Sequence, residues 1–316
     1  MEKPWLSVIV PSHNGERWLG ATLQSLVDQE EQGIEVIVVD ASATEASLKI
    51  VWSFADKLDI RGQRRLDLRS WTEKTNFGVE QARSDRICIL HQDDLWLPNR
   101  CAKLQEWLAA RSDAVMHLHP SYIIDKSGRR LGLWRCPLPS GPTPVPAPVF
   151  FERLLVQNFI SIPAPTIRRD AFLRAGGLDN RLWYTADWDL YFKIAALGTV
   201  YYDPSPLTCF RIHKDSLTVL GSRNGGDFRR QHEIVVYRHA EKIAPGSRNA
   251  ALRIALASIE VNCALATLIS GRLDQLIKAI VSVLVLGPRG MQRYFFCSRI
   301  VDRVFPRLRA LVGGSF

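Results

Sequence analysis

Two aspartates stand side by side in His91-Gln92-Asp93-Asp94, directly after the apolar run Ile87-Cys88-Ile89-Leu90. Adjacent carboxylates repel, so a pair at a strand end costs stability unless a cation lies beside it. Mg²⁺ or Mn²⁺ provides that compensation, because these ions prefer a few carboxylates together with phosphate and water oxygens. The competing reading is a solvated turn ahead of the helix announced by Trp96-Leu97-Pro98. A second acidic pair occurs in Thr185-Ala186-Asp187-Trp188-Asp189-Leu190, at the mouth of an apolar helical pattern. Carboxylates two positions apart point to different sides of a helix, so they should have different jobs. One can face a cleft as a general base while the other caps the helix or pairs structurally. Trp183, Tyr184 and Trp188 surround them with aromatic surface, suited either to the faces of a sugar ring or to a core.

Two further groups can do chemistry. Asp40 closes the apolar segment Ile34 to Val39, where a carboxylate can accept hydrogen bonds from a nucleotide base or ribose, or can serve a turn. In Phe210-Arg211-Ile212-His213, strand spacing puts Arg211 and His213 on one face. Arginine offers bidentate phosphate contact and a neutral histidine can ligate a metal.

These residues need a frame that gathers them. Leu6 to Val10 is a short β-branched run ended by the turn residues Pro11-Ser12-His13-Asn14-Gly15. Trp18, Leu19, Thr22, Leu23 and Leu26 follow at helical spacing, and Ile34 to Val39 is again a strand. Phe77 to Arg83 reads as a helix, Arg86 to Leu90 as a strand and Leu97 to Ala110 as a helix. Met116 to His119 and Tyr122 to Ile124 read as strands, with Asp125 to Gly128 as a hairpin turn before Arg129 to Leu133. Pro137 to Pro148 reads as an extended or mobile loop, and helices are expected at Phe150 to Asn158, Arg169 to Ala175 and Ala186 to Leu197. Alternating βα units imply an α/β fold: an open twisted, mainly parallel sheet with helices on both faces. Ligands of such sheets gather beyond the carboxyl ends of the strands, which is where Pro11 to Asn14, Asp40 and His91 to Asp94 fall.

The net charge of +9 and pI of 9.4 ask for an anionic partner, whether nucleotide phosphates or an acidic membrane surface, or describe only a basic exterior. Nucleic acid is not expected, because the basic residues cluster near the C-terminus without a recognised motif. The six scattered cysteines contain no C-x-x-C pair, which argues against a zinc site and a disulfide framework. The N-terminus offers no signal peptide, and no stretch is read as reaching the ~20 apolar residues a bilayer span needs, so a cytoplasmic location is expected.

The opening Val8 to Asn14, Val38-Val39-Asp40, Asn76-Phe77-Gly78, Ala82-Arg83 and Leu90 to Asp94 follow one another in a telling order. With Asp125 to Gly132, Gly176 to Asp179, Ala186-Asp187 and Phe210 to His213, the chain from Leu6 to Thr218 resembles family 2 glycosyltransferases, which have the GT-A fold. The resemblance implies an inverting transferase that moves a sugar from a nucleoside-diphosphate donor, a UDP-sugar or similar, to a hydroxyl of a glycan or lipid-linked acceptor. It implies that Asp40 contacts the donor's base and that Pro11, Ser12, His13 and Asn14 line the nucleotide pocket. Asp93 and Asp94 would hold Mn²⁺ or Mg²⁺ and the diphosphate, and His213 would reach the metal. Gly176 and Gly177 would lie near the donor sugar, with Asn76 and Arg211 as further donor contacts. Asp187 matches the aspartate that deprotonates the acceptor. Three positions depart from the family pattern: His91 replaces a first acid, Ala41 a second acid after Asp40, and Ala186 the glutamate before the base. Two alternatives are a non-catalytic nucleotide-sugar-binding scaffold and a sugar nucleotidyltransferase. The latter wants a glycine-rich basic loop that Pro11 to Asn14 lacks.

The transferase domain is expected over residues 1–223, with a helical extension over 224–316. Leu252 to Ser270 and Leu273 to Leu286 suggest a helical hairpin turned at Gly271. Beyond it, Arg289, Arg293, Arg299, Arg303 and Arg307 gather on one side of a basic amphipathic helix, and Tyr294, Cys297, Val301, Val304 and Leu308 on another. Such a helix can lie on anionic lipid, placing the protein peripherally at the inner membrane face, or can pack on the hairpin. Donor and acceptor choice should lie in Leu133 to Pro148 and Leu217 to Phe228.

Overall fold

The structure is a computed structural model that describes residues 3–216, 225–267 and 273–312. The expected boundary at 223/224, the turn at Gly271 and residues 217–224 of the second specificity loop lie outside the described residues.

The first half alternates strands and helices: β1 (Leu6–Ser12), α1 (Leu19–Val27), β2 (Ile34–Asp40), α2 (Ala46–Trp52), β3 (Asp59–Arg64), α3 (Trp71–Glu80), β4 (Arg86–Ile89), β5 (Leu95–Trp96) and α4 (Arg100–Ala110). There follow β6 (Met116–Leu118), β7 (Ser121–Ile124), β8 (Arg130–Trp134), β9 (Thr143–Val145), α5 (Ala147–Val156), β10 (Thr166–Arg168), α6 (Arg169–Arg174), α7 (Ala186–Ala195), β11 (Val200–Tyr202) and β12 (Thr208–Arg211). The rest is helical: α8 (Gly225–His239), α9 (Pro245–Thr267), α10 (Leu273–Leu284), α11 (Gly287–Ser298) and α12 (Ile300–Val312).

The main sheet runs β3-β2-β1-β4-β10-β6-β11-β9. Strands β3, β2, β1 and β4 are mutually parallel, β10 is inserted antiparallel between β4 and β6, and β9 is antiparallel on β11. Strand alternation divides the core. Ile9, Ile37, Ile87 and Ile89 face the side covered by α3, α5 and α7. Val8, Val10, Val36, Val38, Cys88 and Leu90 face the side covered by α1, α2 and α4. Both faces being covered explains why these strands read as continuous apolar runs.

A second sheet, β5-β12-β7-β8, determines the site. Strand β5 begins directly after Asp94 and pairs with β12 through Thr208↔Trp96 and Cys209↔Leu95. That register brings His91–Asp94 against Arg211 and His213, more than a hundred residues away in sequence.

Several elements differ from the sequence expectation. Helix α3 starts at Trp71, ahead of the expected Phe77, because Ser70 and Glu73 form a reciprocal capping box. The proline-rich loop contains β9, and prolines are tolerated there because β9 is the sheet edge. The expected single terminal helix is two helices, broken at Arg299, whose φ is +46°. Arginines do not form one outward stripe: Arg293 pairs with Glu152, and Arg303 and Arg307 turn inward, while Val301, Phe305 and Leu308 face out. One helical segment, Pro245–Ala266, is long and apolar enough to cross a membrane, with mean hydropathy 1.2, against the sequence expectation. Half of it is buried inside the protein, where Ala251, Ala255, Ile259 and Cys263 join the main core. Phe228, Val235 and Val236 of α8 join the same core.

Helix α3 lies close on β1, and a Cβ on Gly78 would sit 2.5 Å from Ile9 Cγ2. Gly78→Ala should therefore cost about 1–3 kcal/mol through overpacking. Gly20→Ala in α1, whose Cβ would meet only Ile50 Cγ2 at 3.8 Å, should be neutral or stabilising by up to about 1 kcal/mol. Denaturant midpoints of the two variants check this, and equal midpoints would overturn the close approach as the cause.

Candidate functional site

The Leu90 N–H donates to Ile9 O at 2.9 Å, so His91–Asp94 leaves the sheet at the carboxyl end of β4. One ligand atom from each of His91, Asp93 and Asp94 lies within 4.8 Å of the others. Asp94 Oδ1 accepts the backbone N–H of Arg211 at 2.9 Å, but Oδ2 is buried without a partner, as is His91 Nε2. Burial pushes the Asp94 carboxyl well above the usual carboxylate range, and the Asp93 charge adds to the rise. Burial also pulls His91 down, keeping the imidazole neutral. An orphaned carboxylate oxygen and an orphaned imidazole nitrogen beside a second carboxylate are a donor set that a divalent cation fits. His213 Nε2 lies 2.9 Å from Asp93 Oδ2, its Nδ1 is buried without a partner, and Trp18 packs on its ring at a tilt, centroids 4.2 Å apart.

Arg211 lies directly against the acidic segment. Its Nε donates to Asp93 O at 2.7 Å and its Nη1 to Asp125 O at 2.9 Å, and the side chain is buried. Two of its guanidinium nitrogens hold the acidic segment to the second sheet.

The ends of β1 and β2 are joined to the same segment. The Gln92 amide accepts from His13 N at 2.8 Å and donates to His13 O at 3.0 Å. Asp40 is fully buried, and its two oxygens accept from Ser42 N at 3.2 Å and Ser42 Oγ at 2.7 Å. Ser42 Oγ in turn accepts from Asn14 N at 2.7 Å. Through Ser42, Asp40 shapes the β1 loop from beneath. Pro11 and Ser12 are buried as well, so only His13 and Asn14 of that loop present surface. Lys74, buried beneath the loop, donates to Ser12 O at 2.8 Å; burial pulls its ammonium down to about 8, opposed by Asp40 and Glu73. Neither Gln92 nor Lys74 was legible as a site residue, because each acts across elements and neither belongs to a local pattern.

The glycine pair and Asn76 form a clamp. Gly176 N donates to Leu173 O and Gly177 N to Phe172 O, the paired bonds of a Schellman cap, with φ of +77° and +66°. Asn76 Nδ2 donates to Leu178 O and its Oδ1 accepts from Leu178 N, both at 2.9 Å. Both ends of the Asn76 amide thus hold the glycine loop.

The two aspartates of α7 do have different jobs. Asp189 is fully buried and meets His239 Nε2 at 2.8 Å, Arg238 Nη1 at 2.9 Å and Lys193 Nζ at 3.1 Å. Burial opposes its charge, but these partners hold its carboxyl well below the usual range. Asp187 accepts a single side-chain hydrogen bond, from Asn158 Nδ2 at 2.9 Å, and burial raises it to about 6. Asn158 was not singled out from the sequence. Trp188 is core, donating to Leu154 O, whereas Trp183 donates to Asp227 and Tyr184 packs on Phe228 and His232. Trp71 links the two acidic groups: its Nε1 donates to Trp183 O at 2.8 Å and its ring meets His91 edge-on at 5.2 Å.

The family model for Glycosyl transferase family 2 matches residues 7–166. A relative from Haemophilus influenzae, described as an uncharacterized glycosyltransferase, is 26% identical over 248 residues, spanning 74% of this chain and 79% of its own length. Another from Rickettsia typhi, with the same description, is 24% identical and spans 68% of this chain and 66% of its own. Among solved structures, S. aureus TarS 1-349 in complex with UDP-GlcNAc shares the fold at a TM-score of 0.66 and 17% identity, over 98% of this chain and 92% of that one. The mannosyltransferase PcManGT from Pyrobaculum calidifontis, in complex with GDP-Man and Mn²⁺, does so at 0.57 and 18%, over 96% and 88%.

Asp187 rises from an ordinary 3.8 to about 6, so between those values the folded chain holds a proton that the unfolded chain releases. Stability should then fall as pH rises through this window, by roughly 3 kcal/mol in all. Asp187→Asn should be more stable than the parent above pH 6.5, with the gain vanishing near pH 4. Denaturation at the two pH values checks the sign, and an equal difference at both would exclude a buried ionisation as its source.

Proposed function

Because the chain belongs to glycosyl transferase family 2, we propose that it moves a sugar from a nucleoside-diphosphate donor to an acceptor hydroxyl, with Asp187 as general base. The observation that carries this reading is the buried Asp187 carboxylate, raised to about 6 and tied through Trp71 to the acidic segment. A base poised near neutral pH balances the fraction ionised against the driving force for taking a proton. As the acceptor oxygen attacks the anomeric carbon, its proton passes to Asp187. The bond to the diphosphate breaks on the opposite face, which inverts the anomeric configuration. Asn158 orients the carboxylate, and Asp189 anchors the first turn of α7 beneath it.

Asp93 and Asp94, with His91 and with His213 against Asp93, would hold Mn²⁺ or Mg²⁺, which supplies Lewis-acid neutralisation of the departing diphosphate. His13, Asn14 and Lys74 shape the adjoining nucleotide pocket, with the Asp40–Ser42 turn behind them. A UDP-sugar is the proposed donor, and a glycan or lipid-linked acceptor the proposed partner. Peripheral attachment to a membrane face is supported by the exposed Ile280, Val281 and Leu284 of α10, Val285 just after it, and Val301, Phe305 and Leu308 of α12.

Donor hydrolysis and transfer across a panel of UDP-, GDP- and dTDP-sugars test the reading. Asp187→Asn should lower turnover by about 10²–10⁴-fold while nucleotide binding persists. Chelation should abolish turnover, and Mn²⁺ or Mg²⁺ should restore it. Binding without turnover in the parent, with acceptors present, would make the chain a scaffold. Co-sedimentation with anionic vesicles should weaken in Val281→Asp/Leu284→Asp, and unchanged binding would remove that face from the proposal.

A further inference from the structure

Helix α12 turns two of its three arginines, Arg303 and Arg307, inward, the wrong way for a surface helix. Arg303 Nη2 donates to Asn262 Oδ1 at 3.0 Å, but its Nε and Nη1 are buried without a hydrogen-bond partner. Arg307, one turn on, donates from Nη1 to Arg303 O at 2.7 Å, which does nothing to balance its charge. Among the described residues neither guanidinium forms an ion pair with a carboxylate. The internal segments outside the described residues, 217–224 and 268–272, contain no Asp or Glu. Asn262 cannot help further, because its Nδ2 is committed to Gln157 Oε1 at 2.9 Å, an oxygen that also accepts from Ser258 Oγ. Burial lowers both guanidiniums from the usual arginine range, Arg303 to about 10, and the neighbouring Arg307 charge lowers Arg303 further.

Two half-buried like charges with no carboxylate partner among the described residues are costly, because a charge left uncompensated in a protein interior is strongly destabilising. Such a pair persists where a bound ligand brings the missing anion. Its location says which ligand. Arg303 reaches Asn262, Asn262 reaches Gln157, and the next residue, Asn158, donates to Asp187 at 2.9 Å, so the pair lies on the α9 side of the proposed base. The acidic segment lies on the Trp71 side of α7, and the donor diphosphate is assigned there.

We propose that Arg303 and Arg307 form a phosphate-binding end of the acceptor site, so that the acceptor carries a phosphate group near the hydroxyl that Asp187 deprotonates. This rests on the reading of Asp187 as the base. Two guanidiniums one helical turn apart bring two positive charges and several N–H donors to one place. A phosphate monoester or diphosphate matches both the charge and the oxygen count, whereas a carboxylate leaves one charge unbalanced. The phosphate could come from a lipid-linked headgroup or from a soluble polyol or sugar phosphate.

The test uses the full chain with Mn²⁺ and UDP saturating the donor pocket, and titrates glycerol phosphate, glucuronate and phosphatidylcholine vesicles doped with polyprenyl phosphate. Glycerol phosphate should stabilise the parent against heat saturably, and its affinity should fall at least tenfold in Arg303→Gln and Arg307→Gln and be largely kept in Arg307→Lys. Tighter binding to the doped vesicles than to glycerol phosphate identifies the lipid source, and equal binding the soluble one. Without phosphate, Arg307→Gln should be at least as heat-stable as the parent, which separates a lost ligand from a lost fold. Hydrolysis intact with no phosphate effect, an effect equal in parent and variants, or preference for glucuronate would overturn the proposal and leave the transferase reading standing. Absence of donor hydrolysis in the parent would instead count against that reading.

Discussion

The site hangs on one buried arginine. Arg211 ends β12 and reaches three groups: its backbone N–H holds Asp94 Oδ1, its Nε holds Asp93 O and its Nη1 holds Asp125 O. Without that cation the Asp93–Asp94 pair would face its own repulsion at the end of a strand. With it, β5 and β12 register, His213 arrives on Asp93, and the second sheet closes over the end of the first. The arginine compensates only part of the charge, and Asp94 Oδ2 is left unpartnered at the place where a divalent ion would sit.

The first turn of α7 shows how burial alone makes two chemistries from one residue type. Asp187 and Asp189 are both buried and two positions apart. Asp189 has three basic partners, and charge stabilisation outweighs its desolvation. Asp187 has one amide, and desolvation wins. A group placed so that its ionisation opposes folding is a cost to stability, which makes sense where the proton it carries is needed.

The helical C-terminus belongs to this arrangement. Helices α8 and α9 share the core with α5 and α7, and Gln157, next to the Asn158 that orients Asp187, is held by Ser258 and Asn262 of α9. Asn262 in turn receives Arg303 of α12. A continuous chain of hydrogen bonds and chain neighbours therefore runs from the proposed base to the inward-facing arginines.

The sequence by itself determined the layered α/β frame, since apolar runs and helical spacing are local signals. It also marked His91 to Asp94, the Asp187/Asp189 division and the family, all carried by residues close together in the chain. The short β3, β5 and β10 and the start of α3 escaped the reading because little in their apolar pattern separates them from loops. Site roles were legible only by resemblance. Tertiary structure showed Asn76 clamping a loop, Asp40 shaping a turn and Arg211 securing the acidic segment. It alone revealed Lys74, Gln92, Asn158 and the inward arginines. The reason is physical: these roles depend on hydrogen bonds such as Arg211 to Asp94, which spans 117 residues, and on burial, which no local spacing encodes. Residue type fixes what a side chain can do, and its desolvation and partners in the folded chain decide which of those things it does.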